Sequence, residues 1–172
     1  TVRHGATYSV SSNVLSFNDG QTVKASITSK TGYTTTFSSW SPASGTITAA
    51  TTITANFARE AIKYKYTFAS TDSSLGTVSV SELMVPYDST YTASGGTLTF
   101  STGQKVTANP IPKTGYTTVV NSWSSTSGTV SGNGSISVSF TRTANEYDII
   151  YNCNGGTPTT ATSSHHTYDQ GK

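Results

Sequence analysis

The chain has 172 residues, of which 10% are charged and about a third are Ser or Thr, and its net charge is +2. No run of basic residues stands behind that charge, which excludes the electrostatic footprint of a nucleic-acid binder, and no apolar run is long enough to span a bilayer. Ten Tyr, six Phe and two Trp at regular spacing exclude a disordered chain, and the Ser/Thr-rich, charge-poor composition is that expected of a secreted β-protein.

In chain order, Thr7 to Phe17 reads as a hairpin about a turn at Ser11-Ser12-Asn13, and Asn18-Asp19-Gly20 supplies the next tight turn. From Thr22 to Thr28, Val23, Ala25 and Ile27 alternate with polar residues, the period of a half-buried strand. Lys30-Thr31-Gly32 turns the chain into Tyr33–Trp40, a strand rich in β-branched and aromatic residues, which Ser41-Pro42 ends. Gly45–Ala49 and Thr52–Phe57 give two further short strands. Ile62, Tyr64, Tyr66 and Phe68 share one face of the next strand, and Gly76–Val80 is expected to pair with it after the polar turn Thr71–Ser74. Ser81–Pro86 is the one stretch where a helical turn is expected. Tyr91, Leu98, Phe100, Val106, Ala108, the strand Tyr116–Trp123, Gly128–Ser131 and Ser135–Phe140 then repeat the earlier order, and Tyr147–Tyr151 opens a last strand.

That repetition is strict. Lys30-Thr31-Gly32-Tyr33-Thr34-Thr35 returns as Lys113-Thr114-Gly115-Tyr116-Thr117-Thr118, an offset of 83 residues that also relates Trp40 to Trp123 and Phe57 to Phe140. A constant period of this size is the mark of tandem copies of one structural unit. The chain is accordingly divided into a first copy at 1–61 that lacks its opening strands, a complete copy at 62–144, and the start of a third at 145–172. Thr1 falls at the register of Met84 and Lys172 at that of Ser89, so the sequence reads as a piece of a longer array. The strands that the first copy lacks are expected from neighbouring repeats or from copies of the same chain, with Tyr147–Lys172 as a donated segment. The expected fold is all-β: small β-sandwich or β-grasp-like units of about 83 residues in an elongated array.

Little in the sequence carries chemistry. His4, His165 and His166 are the only histidines, and neighbouring residues on a strand face opposite ways, so His165-His166 is assigned to a solvated loop and no metal site is expected. The eight carboxylates are scattered, mostly in turns, and no catalytic residue or cofactor is assigned. Gly95-Gly96 and Gly155-Gly156 lie in β-turn settings with no helix behind them, unlike a phosphate cradle. Cys153 is read as a buried thiol, with an intermolecular disulfide as the alternative. Asn133-Gly134-Ser135 is both a glycosylation sequon and a hairpin turn. Tyr33, Trp40, Phe57, Tyr116, Trp123 and Phe140 are assigned to the repeat core, in preference to an aromatic platform for glycan or host protein.

Tyr-x-Tyr-Thr-Phe, Gly-Thr-Val, Val-Pro-Tyr, Gly-Gln-x-Val-x-Ala, Thr-Gly-Tyr-Thr, Trp-Ser and a closing strand ending in Phe follow one another in full from Tyr64 to Phe140 and in part from Val2 to Phe57. Tyr147–Thr157 matches the opening of a further repeat. In this order the motifs resemble the divergent internalin-B-type B-repeats, related to the Listeria–Bacteroides repeat family. The resemblance implies a prokaryotic cell-surface or extracellular protein whose repeats act as stalk or spacer, with a role in adhesion or filament formation. It implies β-grasp units, although these copies are longer and carry extra hairpins, and it brings no catalytic residue. A ligand-binding module using exposed Tyr and Trp is the alternative.

Overall fold

The computed structural model of the protein describes residues 1–157 and 163–169. It is all-β, with no helix among the described residues. The chain divides into two compact units, unit 1 made of Thr1–Lys63 with Pro86–Asp88, and unit 2 made of Tyr64–Val85 with Ser89–Lys172.

Unit 1 begins with the hairpin β1 (Thr7–Ser11) and β2 (Val14–Phe17), paired Tyr8↔Phe17 and Val10↔Leu15 about a turn in which Ser12 takes a φ of 54°. β3 (Thr22–Lys24) adds to β2. β4 (Tyr33–Ser41) stops before the cis bond to Pro42, and β5 (Ser44–Thr46) returns to pair with β1. β6 (Thr54–Ala61) lies antiparallel to β4. The result is one sheet in the order β3-β2-β1-β5 and a two-stranded sheet β4-β6. Alternation brings Tyr8, Leu15, Ala25 and Trp40 together as the buried cluster.

Unit 2 opens with β7 (Lys63–Ser70), β8 (Gly76–Val78) and β9 (Glu82–Pro86), then β10 (Thr90–Ser94), β11 (Thr97–Phe100) and β12 (Lys105–Pro110). β13 (Tyr116–Trp123), β14 (Ser127–Thr129) and β15 (Gly134–Ala144) follow, and β16 (Glu146–Ile150) pairs with β17 (Ser163–Thr167). Five strands order as β14-β10-β11-β12-β8 and four as β13-β15-β7-β9. Leu98, Phe100 and Val106 from the first sheet meet Tyr66, Phe68, Ile136 and Val138 from the second in a single core. Burying each large side chain there stabilises the unit by about 1.5–3 kcal/mol.

The pairings of unit 1 recur in unit 2 at the sequence offset. Tyr91↔Phe100 answers to Tyr8↔Phe17, Thr90↔Thr129 to Thr7↔Thr46, and Tyr116↔Ala144 to Tyr33↔Ala61. Even the irregularity matches, between Phe37 and Ser39 in one pair and Val120 and Ser122 in the other.

Several sequence expectations are corrected. Gly76–Val78 pairs with β12, while β7 runs parallel to β15, with Tyr66 opposite Gly134 and Phe68 opposite Ile136. The connection is a wide turn on Asp72, whose carbonyl accepts from Leu75 N and Gly76 N, and it carries the chain from one sheet to the other. Ser81–Pro86 contains the strand β9 in place of a helical turn. The strand expected over Thr22–Thr28 ends at Lys24, leaving Val23 and Ile27 about half exposed (47% and 51%), whereas β12 continues to Pro110 because β8 pairs with its second half. β6 is longer than Thr52–Phe57 suggested, reaching Ala61 along the full length of β4. Cys153 is exposed. The offset falls to 81 at the tail: β17 and Tyr168-Asp169 answer to β9 and Tyr87-Asp88, so Lys172 is not the counterpart of Ser89.

Candidate functional site

The most elaborately built feature is the repeated Lys-Thr-Gly-Tyr turn. In unit 1, Tyr33 N donates to Lys30 O at 3.0 Å, which closes a turn that Gly32 completes at a φ of 76°. A residue with a side chain is strained at that angle. Gly32 has a second reason to lack one, since a Cβ there would fall within the ring of Tyr87. Tyr87 meets Tyr33 edge to face at 5.6 Å, and its backbone N–H donates to Ile62 O at 2.7 Å, while Ile62 N donates to Gly32 O at 2.9 Å. Lys30 Nζ sits 4.5 Å from the centre of the Tyr33 ring, a cation–π contact. The turn therefore grips a returning segment by ring-on-backbone packing and two main-chain hydrogen bonds.

Unit 2 repeats the assembly around Gly115. Its φ is 76°, Tyr168 lies where a Cβ would go, and Tyr116 and Tyr168 meet at 5.5 Å. Tyr168 N donates to Asn145 O and Asn145 N to Gly115 O, both at 2.8 Å, and Lys113 Nζ stands 4.3 Å over Tyr116. The residue after each gripping Tyr is an Asp at positive φ, Asp88 at 68° and Asp169 at 63°. Tyr116 Oη donates to Asp169 Oδ2 at 3.1 Å, and that hydrogen bond to a carboxylate is the first cause holding the Tyr116 pKa above the usual tyrosine value. Sequence reading found the turns but missed the gripping tyrosines, because only the Val-Pro-Tyr motif at Tyr87 marked one of them and the tail offset hid the other.

The six residues assigned to the repeat core stand as follows. Trp40, Trp123 and Phe140 are buried, Tyr33 and Tyr116 are half-buried within the turns just described, and Phe57 is 43% exposed. Phe140 owes its burial to Gly76 on β8, against which its ring packs so closely that a Cβ would enter it. No strand of unit 1 stands over Phe57 in that way. The two tryptophans also differ: Trp123 Nε1 donates to Gly95 O at 3.1 Å, whereas Trp40 Nε1 meets no acceptor among the described residues.

His165 and His166 lie on β17, not in a loop, and alternate as a strand requires. His165 Nδ1 is 2.8 Å from Asp148 Oδ1 and its Nε2 is 3.1 Å from Glu146 Oε2, all three exposed, and these two carboxylates raise its pKa above 6.5, Asp148 foremost. His166 turns to Ser164 at 2.7 Å. Among the described residues no three His, Cys, Asp or Glu side chains are grouped to hold a metal ion. Asn133, of the sequon, accepts from Lys65 N through its side-chain oxygen at 2.9 Å.

Along unit 1, Phe17, Ile47, Ala49, Ala50, Thr51 and Ile53 line a groove of about 380 Å³ into which Val2 and His4 also project. Their counterparts in unit 2 include Phe100, Val130 and Ile136, which are buried, and there Tyr66 and Phe68 of β7 pack on Phe100 at 5.8 and 6.2 Å. Comparison with known protein families, with curated proteins and with solved structures gave no match.

Proposed function

We propose that the chain is a structural segment of a prokaryotic cell-surface or extracellular protein, in which tandem β-repeats of about 83 residues act as a stalk or spacer in adhesion or filament formation. The recurrence of the same strand registers, the same bulge and the same glycine turn at one offset, with the gripping tyrosine following at 81, supports this reading more than any other observation. Of the two expected forms of the repeat, the two sheets that share one core in unit 2 favour the small β-sandwich over a β-grasp unit. The segments 1–61, 62–144 and 145–172 are then successive copies, and copy number adjusts reach, each copy adding its own stability and its contact with the next. A ligand module built on the repeated aromatics is less favoured: both tryptophans are buried, and Tyr33 and Tyr116 each carry a lysine over the ring and a second tyrosine at the edge.

The test is to insert one and two further copies of residues 62–144 after Ala144 and measure small-angle scattering. A spacer gains the same increment in maximum dimension with each copy. Growth of the radius of gyration with the cube root of mass, as in a compact globule, would refute the reading.

A further inference from the structure

The β4-β6 sheet of unit 1 ends at β6, and the β16-β17 sheet ends at β16, each with an edge that no described strand pairs. Unit 2 contains the arrangement that would satisfy both. There β15, the counterpart of β6, has β7, the counterpart of β16, as a parallel neighbour. We propose that residues 149–153 of one molecule, from the end of β16 onward, add as a parallel strand along residues 51–55 of a second, which lead into β6, so that copies of this chain join head to tail.

Residue for residue, the register of β15 with β7 places Thr51 opposite Ile149, Ile53 opposite Tyr151 and Ala55 opposite Cys153. Ile149 and Tyr151 would then enter the groove of unit 1 as Tyr66 and Phe68 enter the core of unit 2. Size is exchanged in a compensating way. Gly134 makes room for the ring of Tyr66, and in the proposed joint the larger Thr51 faces the smaller Ile149. Apolar surface stands on both sides of the joint, with Ile149 at 41%, Ile150 at 80% and Tyr151 at 49% exposed on one and the groove lined by Phe17, Ile47 and Ile53 on the other. Charge is also complementary. Residues 1–61 carry Arg3, Lys24, Lys30 and Arg59 against Asp19 and Glu60, a net +2, and residues 145–172 carry Glu146, Asp148 and Asp169 against Lys172, a net −2.

The joint uses residues 149–153, the end of β16 and the chain just after it, and nothing of β17. Thr1 already holds the place of Met84 in unit 1, for Gln21 Nε2 donates to Thr1 O at 3.3 Å as Gln104 Nε2 does to Met84 O at 3.4 Å. An added strand whose donor and acceptor surfaces are different patches of the molecule makes a heterologous contact, which propagates until it closes into a ring or runs on as a fibre.

The inference rests on the repeat reading, and its test is separate from the scattering test above. Purified chain of residues 1–172 is examined by sedimentation from about 1 µM to 1 mM. The expected result is a mass that climbs past the dimer with concentration in wild type and stays monomeric in Ile149→Asp, whose exposed site leaves the units folded by circular dichroism. In parallel, Ala55→Cys is oxidised. Parallel strands about 4.8 Å apart bring residues 55 and 153 within disulfide reach, so a ladder of covalent multimers is expected, where wild type with Cys153 alone stops at a dimer. Wild type that remains monomeric throughout, association indifferent to Ile149→Asp, or no ladder in Ala55→Cys would each overturn the joint. If a peptide of residues 62–81 binds a chain that does not self-associate, the strand belongs to another part of an array. A monomer that still lengthens by equal steps in the scattering test loses the joint and keeps the repeat.

Discussion

Gly115→Ala isolates what the gripping tyrosine contributes. Two effects act on the backbone: a side chain at a φ of 76° costs about 1–2 kcal/mol, and loss of glycine's freedom in the unfolded chain returns about 0.4–1 kcal/mol. Gly103→Ala carries the same two effects, at a φ of 87°, but a Cβ there has nothing within 4 Å. At Gly115 the Cβ must displace the ring of Tyr168, which breaks its edge-to-face contact with Tyr116 and the hydrogen bond from Tyr168 N to Asn145 O. The ring contact contributes about 0.5–1.5 kcal/mol and the hydrogen bond about as much. Gly115→Ala should therefore loosen the segment at Tyr168 by about 1–3 kcal/mol, roughly 5- to 150-fold in the opening equilibrium, while Gly103→Ala leaves that segment alone. Hydrogen exchange of the Tyr168 amide and the β17 amides, read by NMR, measures this directly. Unchanged exchange in Gly115→Ala, or equal acceleration in Gly103→Ala, would mean that the tyrosine merely rests on the turn.

The same exchange of Trp for Phe should give different results at equivalent positions. Trp123→Phe loses a hydrogen bond and fills less of a tight core, and should cost about 2–3 kcal/mol in a urea melt. Trp40→Phe removes an unpaired buried N–H and should cost under about 1 kcal/mol; equal losses would show that Trp40 has a partner after all. His165 should titrate above 6.5, because Asp148 and then Glu146 favour its protonated form. A raised pKa in the folded state means that this support of β16-β17 is present in full below about pH 6.5 and is lost as pH rises through the folded value. An NMR titration of His165 that falls toward 6.5 in Asp148→Asn would agree, and a wild-type midpoint at or below 6.5 would not.

What could be read in the sequence was what is decided within a few residues. The turns at Ser12, Gly20, Gly32 and Gly115 were visible, since each has a residue type that suits a left-handed backbone or a tight hairpin, and each does take a positive φ. Antiparallel neighbours joined by such turns, β1 with β2 and β10 with β11, followed from them. The parallel pairing of β15 with β7 had no local signal, because its partners lie some 70 residues apart in sequence and no turn joins them. Taking the nearest strand, Gly76–Val80, as the partner of β7 was the consequence. The aromatic grip on Gly32 and Gly115 was hidden for the same reason: a glycine kept for a ring from elsewhere looks like a glycine kept for its turn.

The differences between the two units show how much of a core is decided from outside its own strands. Val23 and Val106 are the same residue on equivalent strands, each opposite a leucine at Leu15 and Leu98. Both leucines are buried, yet Val106 is fully buried while Val23 is 47% exposed. Local sequence cannot distinguish them, and the hairpin that carries each is the same. What differs is the company the hairpin keeps: in unit 2, β8 continues β12 past Val106 and β7 lays Tyr66 and Phe68 over Phe100, whereas Phe17 in unit 1 faces the groove. Burial of Val23, Ile47, Ile53 and Phe57 thus depends on strands, the equivalents of β7 and β8, that β1–β6 do not include. The core over such a hairpin is complete only where strands from outside it, as β7 and β8 are in unit 2, are laid against it.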